Sequence, residues 1–306
     1  MFHHFHDANH PPGQGSISAD EFRSMLEFLG TQNFLPAAEW LKRAQTNSLK
    51  KNDLCLTFDD NLLCQFDIAY PVMKSFKLTG FWFVYSSVLK GNLERMEIYR
   101  LFRSTRFPDM ESFYDAFFAT VDQSSHGAKV RDALKTFHPA EYLKETPFYT
   151  DGDKRFRFVR DRVLGDADYK KIMDLMLEQA GFDMKAAAQK LWMSSAQLKQ
   201  LHREGHIIGL HGYSHPMQMG ELEPDLQEEE YRHNFEDLKN LTGEAPSAMS
   251  HPCNSYSADT LKILERLGIR VGFRANMADV PNRSTLEWPR EDHANVLKAM
   301  QTKATP

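Results

Sequence analysis

The stretch CLTFDDNLLCQFD, residues 55–67, sets a short apolar run directly against two adjacent carboxylates, Asp59 and Asp60. Its reading decides the fold. The preceding DLCLTF (53–58) is β-prone and apolar, FDIAYPVMKSFKL (66–78) carries apolar residues at helical spacing, and GFWFVYSS (80–87) is a second strand rich in aromatics. Strand, helix and strand with about a dozen residues of crossover make a parallel βαβ unit. The two aspartates then stand at the carboxyl end of the first strand, the edge where α/β folds build their sites because the loops there converge. A pair of aspartates is more commonly a helix N-cap with a solvated neighbour. The position immediately after CLTF argues for the strand end.

Working outward, the opening FHHFHD (2–7) reads as a short strand that breaks in the turn formers HPPGQGS (10–16). SADEFRSMLEFLG (18–30) is a helix with Ser18 as N-cap, Glu21 completing a capping box and Gly30 as its stop. PAAEWLKRAQ (36–45) is a second helix. From 90 to 201 the pattern turns to long helical stretches such as MESFYDAFFATV (110–121) and YKKIMDLMLEQAGF (169–182), with little strand character. We read this span as a helical insertion within one domain covering 1–306. After it HIIGLHGYSHP (206–216) returns to strand and loop, two amphipathic helices end at Gly243 and Gly268, and IRVGF (269–273) is a further strand. The aromatics of GFWFVYSS are better spent in a core than as a platform for a sugar, because strands of a βαβ unit bury large apolar area.

Composition sets limits. The chain has 306 residues, of which 42% are hydrophobic and 12% aromatic, enough to bury a full core. A formal charge of -5, with no long Lys/Arg run, gives no field for a phosphate backbone, so nucleic acid is not an expected partner. Cys55, Cys64 and Cys253 match neither a disulfide framework nor a paired zinc motif and suit a reducing compartment. No run of about 18 apolar residues suggests a membrane span, and MFHHFHDANHPPGQGSIS (1–18) lacks a basic stretch followed by an apolar one. A cytoplasmic protein is the expectation; its oligomeric state is left open.

HGYSHP (211–216) places His211 and His215 just after the apolar run HIIGL. Such spacing also arises by chance and means little without context. Here Gly212, Tyr213 and Pro216 shape a loop on which both imidazoles can converge, and an aspartate pair already waits at another strand end. One carboxylate with two neutral imidazoles is an N/O set suited to one divalent ion, zinc before others, with positions left open for water. The second aspartate, pointing elsewhere, is then available to take a proton.

LTFDDN (56–61) together with HGYSHP resembles the polysaccharide deacetylase family, whose first motif is T-F-D-D and whose second is H-[ST]-x-x-H. Here the second position of the latter is Gly212. The resemblance extends to FHHFHD, similar to a Y-H-R-F opening of some members, and to SADTLKILERLGIRVGF (257–273), and it leaves 90–201 largely outside. It implies a distorted (β/α) barrel of about seven strands and removal of an N-acetyl group from an amino sugar. Carried over position by position, Asp59 matches the general base and Asp60, His211 and His215 match the metal ligands. The third motif, R-x-P-[FY], is SHPCNSY (250–256) here, with Ser250 in place of the arginine and Cys253 at the aromatic position.

A substitute lies in EWPREDHANVL (287–297), which resembles an L-P-R segment ending some members: Arg290 would reach Asp59 from another strand. The family takes its general acid from a last L-x-H motif, which has no clean counterpart. His293 is the catalytic candidate for that role and His251 a second one, while His3 and His251 would border the substrate. The expected activity is metal-dependent N-deacetylation of an amino sugar or a glycan precursor of a surface polysaccharide. A C–N hydrolase of a small amide, and a non-catalytic metal-binding glycan binder prompted by the missing arginine, are the alternatives.

Overall fold

The computed structural model describes residues 1–144 and 149–304. The chain divides into two compact units, 1–94 with 189–306, and 95–188.

The first unit is built on a parallel sheet of five strands in chain order: β1 Leu56–Phe58, β2 Gly80–Val84, β3 Ile207–Leu210, β4 Ala248–Ser250 and β5 Val271–Phe273. Its helices are α1 Ala19–Leu29, α2 Ala37–Gln45 and α3 Tyr70–Ser75, followed after the second unit by α10 Ser195–Arg203, α11 Pro224–Thr242, α12 Ala258–Arg266 and α13 His293–Ala304. Strands joined in sequence through helices, every neighbour parallel, form a curled half-barrel, and the expected α/β barrel class holds. The strand number is a correction: five among the described residues, fewer than the expected seven or so. At each edge an isolated parallel bridge continues the order, Phe2 beside Phe58 and Trp288 beside Phe273. Neither grows into a strand.

Alternation along β2 assigns its aromatics to two layers. Phe81 and Phe83 meet Val271, Phe273 and Ala248 around Trp40 of α2, whose ring stacks 5.2 Å from Phe273. Trp82 and Val84 face the other way, Trp82 lying 4.3 Å from Phe58 and nearly parallel to it. All four side chains are fully buried, so the run is core. α1 keeps its capping box, with Ser18 and Glu21 each bonded to the other's backbone, and ends at Gly30.

His206, buried at the foot of β3, accepts at one nitrogen, Nδ1, from both the Gly80 N–H at 3.1 Å and the Trp82 indole at 3.0 Å. Protonating Nδ1 would set a donor against two donors. Burial depresses the pKa to about 4, so the folded state binds this proton later than the unfolded chain does. The contribution is complete above pH 6.5 and is lost as pH falls toward 4, up to about 3 kcal/mol in all. Denaturant titrations should show this decline, and His206→Gln should be less stable at pH 7 yet flatter with pH over that window. An unchanged slope in the variant would assign the acid sensitivity to other groups.

The second unit is helical: α4 Arg95–Arg106, α5 Met110–Gln123, α6 Gly127–Leu134, α7 Asp151–Phe158, α8 Gly165–Gln179 and α9 Met184–Ala188. Phe113, Phe117 and Phe156 form its aromatic centre, with ring centroids 5.0–5.4 Å from Phe156. Asp109 caps α5, and Thr150 with Asp153 forms a capping box on α7. Residues 189–201, including much of α10, group with the first unit. No helix of the described residues is long and apolar enough to cross a membrane.

Candidate functional site

Beyond Phe58 the chain turns sharply. Asp60 and Asn61 both take left-handed backbone, with φ of +78° and +56°, a conformation Asp and Asn tolerate better than other side chains. The turn is held from outside by Met193 N–H on the Asn61 carbonyl at 2.9 Å and Leu63 N–H on the Leu191 carbonyl at 2.7 Å. The reversal lets neighbouring carboxylates serve different partners.

Asp60 serves the histidines. Its Oδ1 lies 3.3 Å from Nε2 of His211 and 3.3 Å from Nε2 of His215. The His211 Nδ1–H donates to the Ser250 carbonyl at 2.9 Å, which fixes the tautomer and turns Nε2 toward Asp60. All three side chains are buried or nearly so, and Asp60 Oδ1 has no hydrogen-bond partner. Burial would raise the Asp60 carboxyl, but His211, His215 and His3 around it hold it well below the usual carboxylate range. Burial likewise opposes charge on His211, and Asp59 and Asp60 outweigh it, raising its pKa.

These three residues form a group that could hold a metal ion, their ligand atoms lying within 4.8 Å of one another. The donor set fits. Two ligands about 2.0–2.1 Å from one ion at a tetrahedral angle stand about 3.3–3.4 Å apart, and a buried carboxylate oxygen without a hydrogen bond is the atom such an ion would satisfy.

Asp59 serves Arg290 instead. Nη1 and Nη2 of the guanidinium donate to Oδ1 and Oδ2, each at 2.7 Å, a fork-on-fork pair in which both partners are almost fully buried. Arg290 is itself held by Nε–H donation to the Arg274 carbonyl at 2.7 Å and by Nη2 donation to Ser250 Oγ at 2.6 Å, while the Ser250 hydroxyl is 3.2 Å from Asp59 Oδ2. Burial pushes the Asp59 carboxyl up, but Arg290 first and His211 and His3 after it hold it far below its ordinary value. The serine at the motif's arginine position therefore joins the guanidinium arriving from residue 290.

The remaining candidates separate. His3 Nε2 lies 3.7 Å from Asp59 Oδ2 and 3.9 Å from Asp60 Oδ2, with about a quarter of the side chain exposed. Gln65, fully buried, ties it there by donating to both the His3 carbonyl at 2.8 Å and the Asp59 carbonyl at 2.6 Å. His293 donates from Nε2 to the Gly15 carbonyl at 2.9 Å and packs on Phe2. His251 donates from Nε2 to the Leu286 carbonyl at 2.8 Å and stacks 4.2 Å from Tyr256, and burial lowers its pKa to about 4. Among the described residues, no hydrogen bond or ion pair joins either ring to Asp59 or Asp60.

Sequence reading missed Gln65, although it lies six residues beyond Asp59 in the same stretch. It also missed Tyr85, whose hydroxyl accepts from the Trp192 indole at 2.6 Å and whose ring lies 5.1 Å from His215.

Residues 169–272 match the family model of polysaccharide deacetylase, the family read from the sequence; HGYSHP lies inside the matched span and LTFDDN outside it. No curated protein matches the sequence. Among solved structures the chain is similar to the Streptococcus pyogenes deacetylase PplD, determined in complex with acetate, with 17% identity over 98% of this chain and 96% of that one and a TM-score of 0.54. IcaB from Ammonifex degensii gives 16% identity, coverage of 98% and 93% and a TM-score of 0.55. A de-N-acetylase from Aggregatibacter actinomycetemcomitans gives 11%, 97% for each chain and 0.55. At these identities the common property is the fold.

Proposed function

We propose that this protein is a metal-dependent deacetylase that hydrolyses the N-acetyl group of an amino sugar in a glycan or glycan precursor. The observation that carries the reading is the juxtaposition of a buried Asp60–His211–His215 group with an ionised, rigidly aimed Asp59 at the adjacent position. The family match and the fold shared with deacetylases support it.

Asp60 Oδ1 and the Nε2 atoms of His211 and His215 would hold the ion, zinc being the natural choice for this donor set. When bound, the ion supplies Lewis acidity, polarising a carbonyl and making water acidic near neutral pH. Asp59 takes the proton of the attacking water: its carboxylate is kept ionised by Arg290, and the paired hydrogen bonds fix its direction. The C–N bond breaks only if the departing nitrogen receives a proton. His3 is our choice for that donor, because its Nε2 faces both aspartates and is partly open to solvent. His293 and His251, the candidates from sequence, have a ring nitrogen engaged by backbone carbonyls instead. Among the described residues no disulfide joins Cys55, Cys64 and Cys253, which suits a reducing compartment and a cytoplasmic precursor as substrate. Arg290 at Asp59 supports the catalytic reading over that of a non-catalytic glycan binder.

Acetate release from N-acetylated glucosamine oligomers and sugar nucleotides tests the reading. Release should be abolished by a chelator and restored by zinc, and metal-loaded protein that frees no acetate from any of them would refute it. His3→Gln should lower kcat by about 10²- to 10⁴-fold with metal retained. If His293→Gln were the variant to show that loss, the acid role would pass to His293.

A further inference from the structure

The loop carrying both histidines is bent in a way its own sequence does not enforce. Gly212 has φ of +75° and His215 φ of +59°, the left-handed region that only a few per cent of non-glycine residues occupy. The loop's surroundings are supplied by one face of α11. The Glu230 carboxylate accepts from the backbone N–H of Tyr213 at 2.9 Å and of Ser214 at 2.8 Å, both on Oε2, and from the Ser214 hydroxyl at 2.7 Å on Oε1. One turn further on, Asn234, fully buried, accepts from the His211 N–H at 3.0 Å and donates to the Val84 carbonyl at 2.9 Å. From the opposite side Ser87 N–H donates to the Tyr213 carbonyl at 2.9 Å. A Cβ on residue 212 would stand 3.1 Å from the Met219 methyl and 3.6 Å from Glu230 Oε2, so glycine at this position belongs to the same arrangement.

We infer that Glu230, assisted by Asn234, is a positioning residue for metal binding: it gathers the N–H groups of the 211–215 loop and so brings His215 Nε2 to the 3.3 Å approach to Asp60. Consecutive backbone N–H groups converging on one anion form a nest, and here the anion is a side chain of this protein. His215 follows the nest by one residue, its ring meeting those of Tyr85 at 5.1 Å and His211 at 4.9 Å. The inference rests on the metal-site reading above and deepens it, since partners that orient ligands typically govern metal affinity by about 10- to 100-fold.

The test is zinc affinity, read by competition with a chromophoric chelator, in full-length wild type, Glu230→Ala, Glu230→Gln and the exposed neighbour Glu229→Ala. Glu230→Ala should bind zinc about 10- to 100-fold more weakly. Glu230→Gln should recover most of the affinity, because its carbonyl oxygen can accept both N–H groups while its amide nitrogen donates to Ser214 Oγ. Glu229→Ala should match wild type in zinc affinity and in the melting temperature of the metal-free protein. Wild-type affinity in Glu230→Ala would overturn the inference, as would an equal loss in Ala and Gln, which would mean charge and not position. Absence of zinc binding in the wild type would instead refute the metal-site reading itself.

Discussion

Asp59→Asn should retain its metal ion and lose turnover by about 10²- to 10⁴-fold. The two halves of this result have separate origins. Asp59 directs both oxygens at Arg290 and Ser250, and the ligand group is made by Asp60 and the histidines, so the substitution leaves the three ligand atoms in place. Asparagine has nearly the same shape but no basic oxygen, and one of its two terminal atoms becomes a donor facing the donors of Arg290. The variant is therefore expected to fold with reduced stability, bind zinc and fail at proton removal. Metal analysis beside an acetate assay reads both halves. Simultaneous loss of metal and activity would make Asp59 a ligand.

Arg290→Met should damage both stability and rate. Asp59 is buried, and its charge is supported chiefly by the guanidinium; removing one partner of a buried pair typically costs about 3–5 kcal/mol because the other is left uncompensated. Methionine also lacks the donors that hold the Ser250 hydroxyl and the Arg274 carbonyl. The denaturation midpoint should fall accordingly. The rate should fall more than substrate affinity, since a base that has lost its orientation acts only in the transition state. A variant with wild-type kcat would mean that Ser250 alone suffices to aim Asp59.

The parts of this architecture legible in the sequence are those whose signal is local. The apolar run ahead of Asp59, the capping box of Ser18 and Glu21, and the paired histidines behind HIIGL each announce themselves within a few residues. Arg290 was reachable only through resemblance, because it meets Asp59 across 231 positions of chain. The strand number was overestimated because about seven was carried over from the family resemblance, whereas here the outer positions of the half-barrel are single bridges at Phe2 and Trp288. His293 and His251 looked available because sequence does not reveal that the carbonyls of Gly15 and Leu286 engage their rings. Glu230 is one of three consecutive glutamates, 228–230, on an amphipathic helix, and only the packing of α11 against the histidine loop distinguishes it from the other two.

Mass-spectrometric metal stoichiometry of the purified wild type and His215→Ala, each loaded with zinc and then desalted, tests the central claim most directly. The wild type should hold about one ion per chain and the variant should retain none. Equal occupancy in the two proteins, or no bound ion in the wild type, would contradict it.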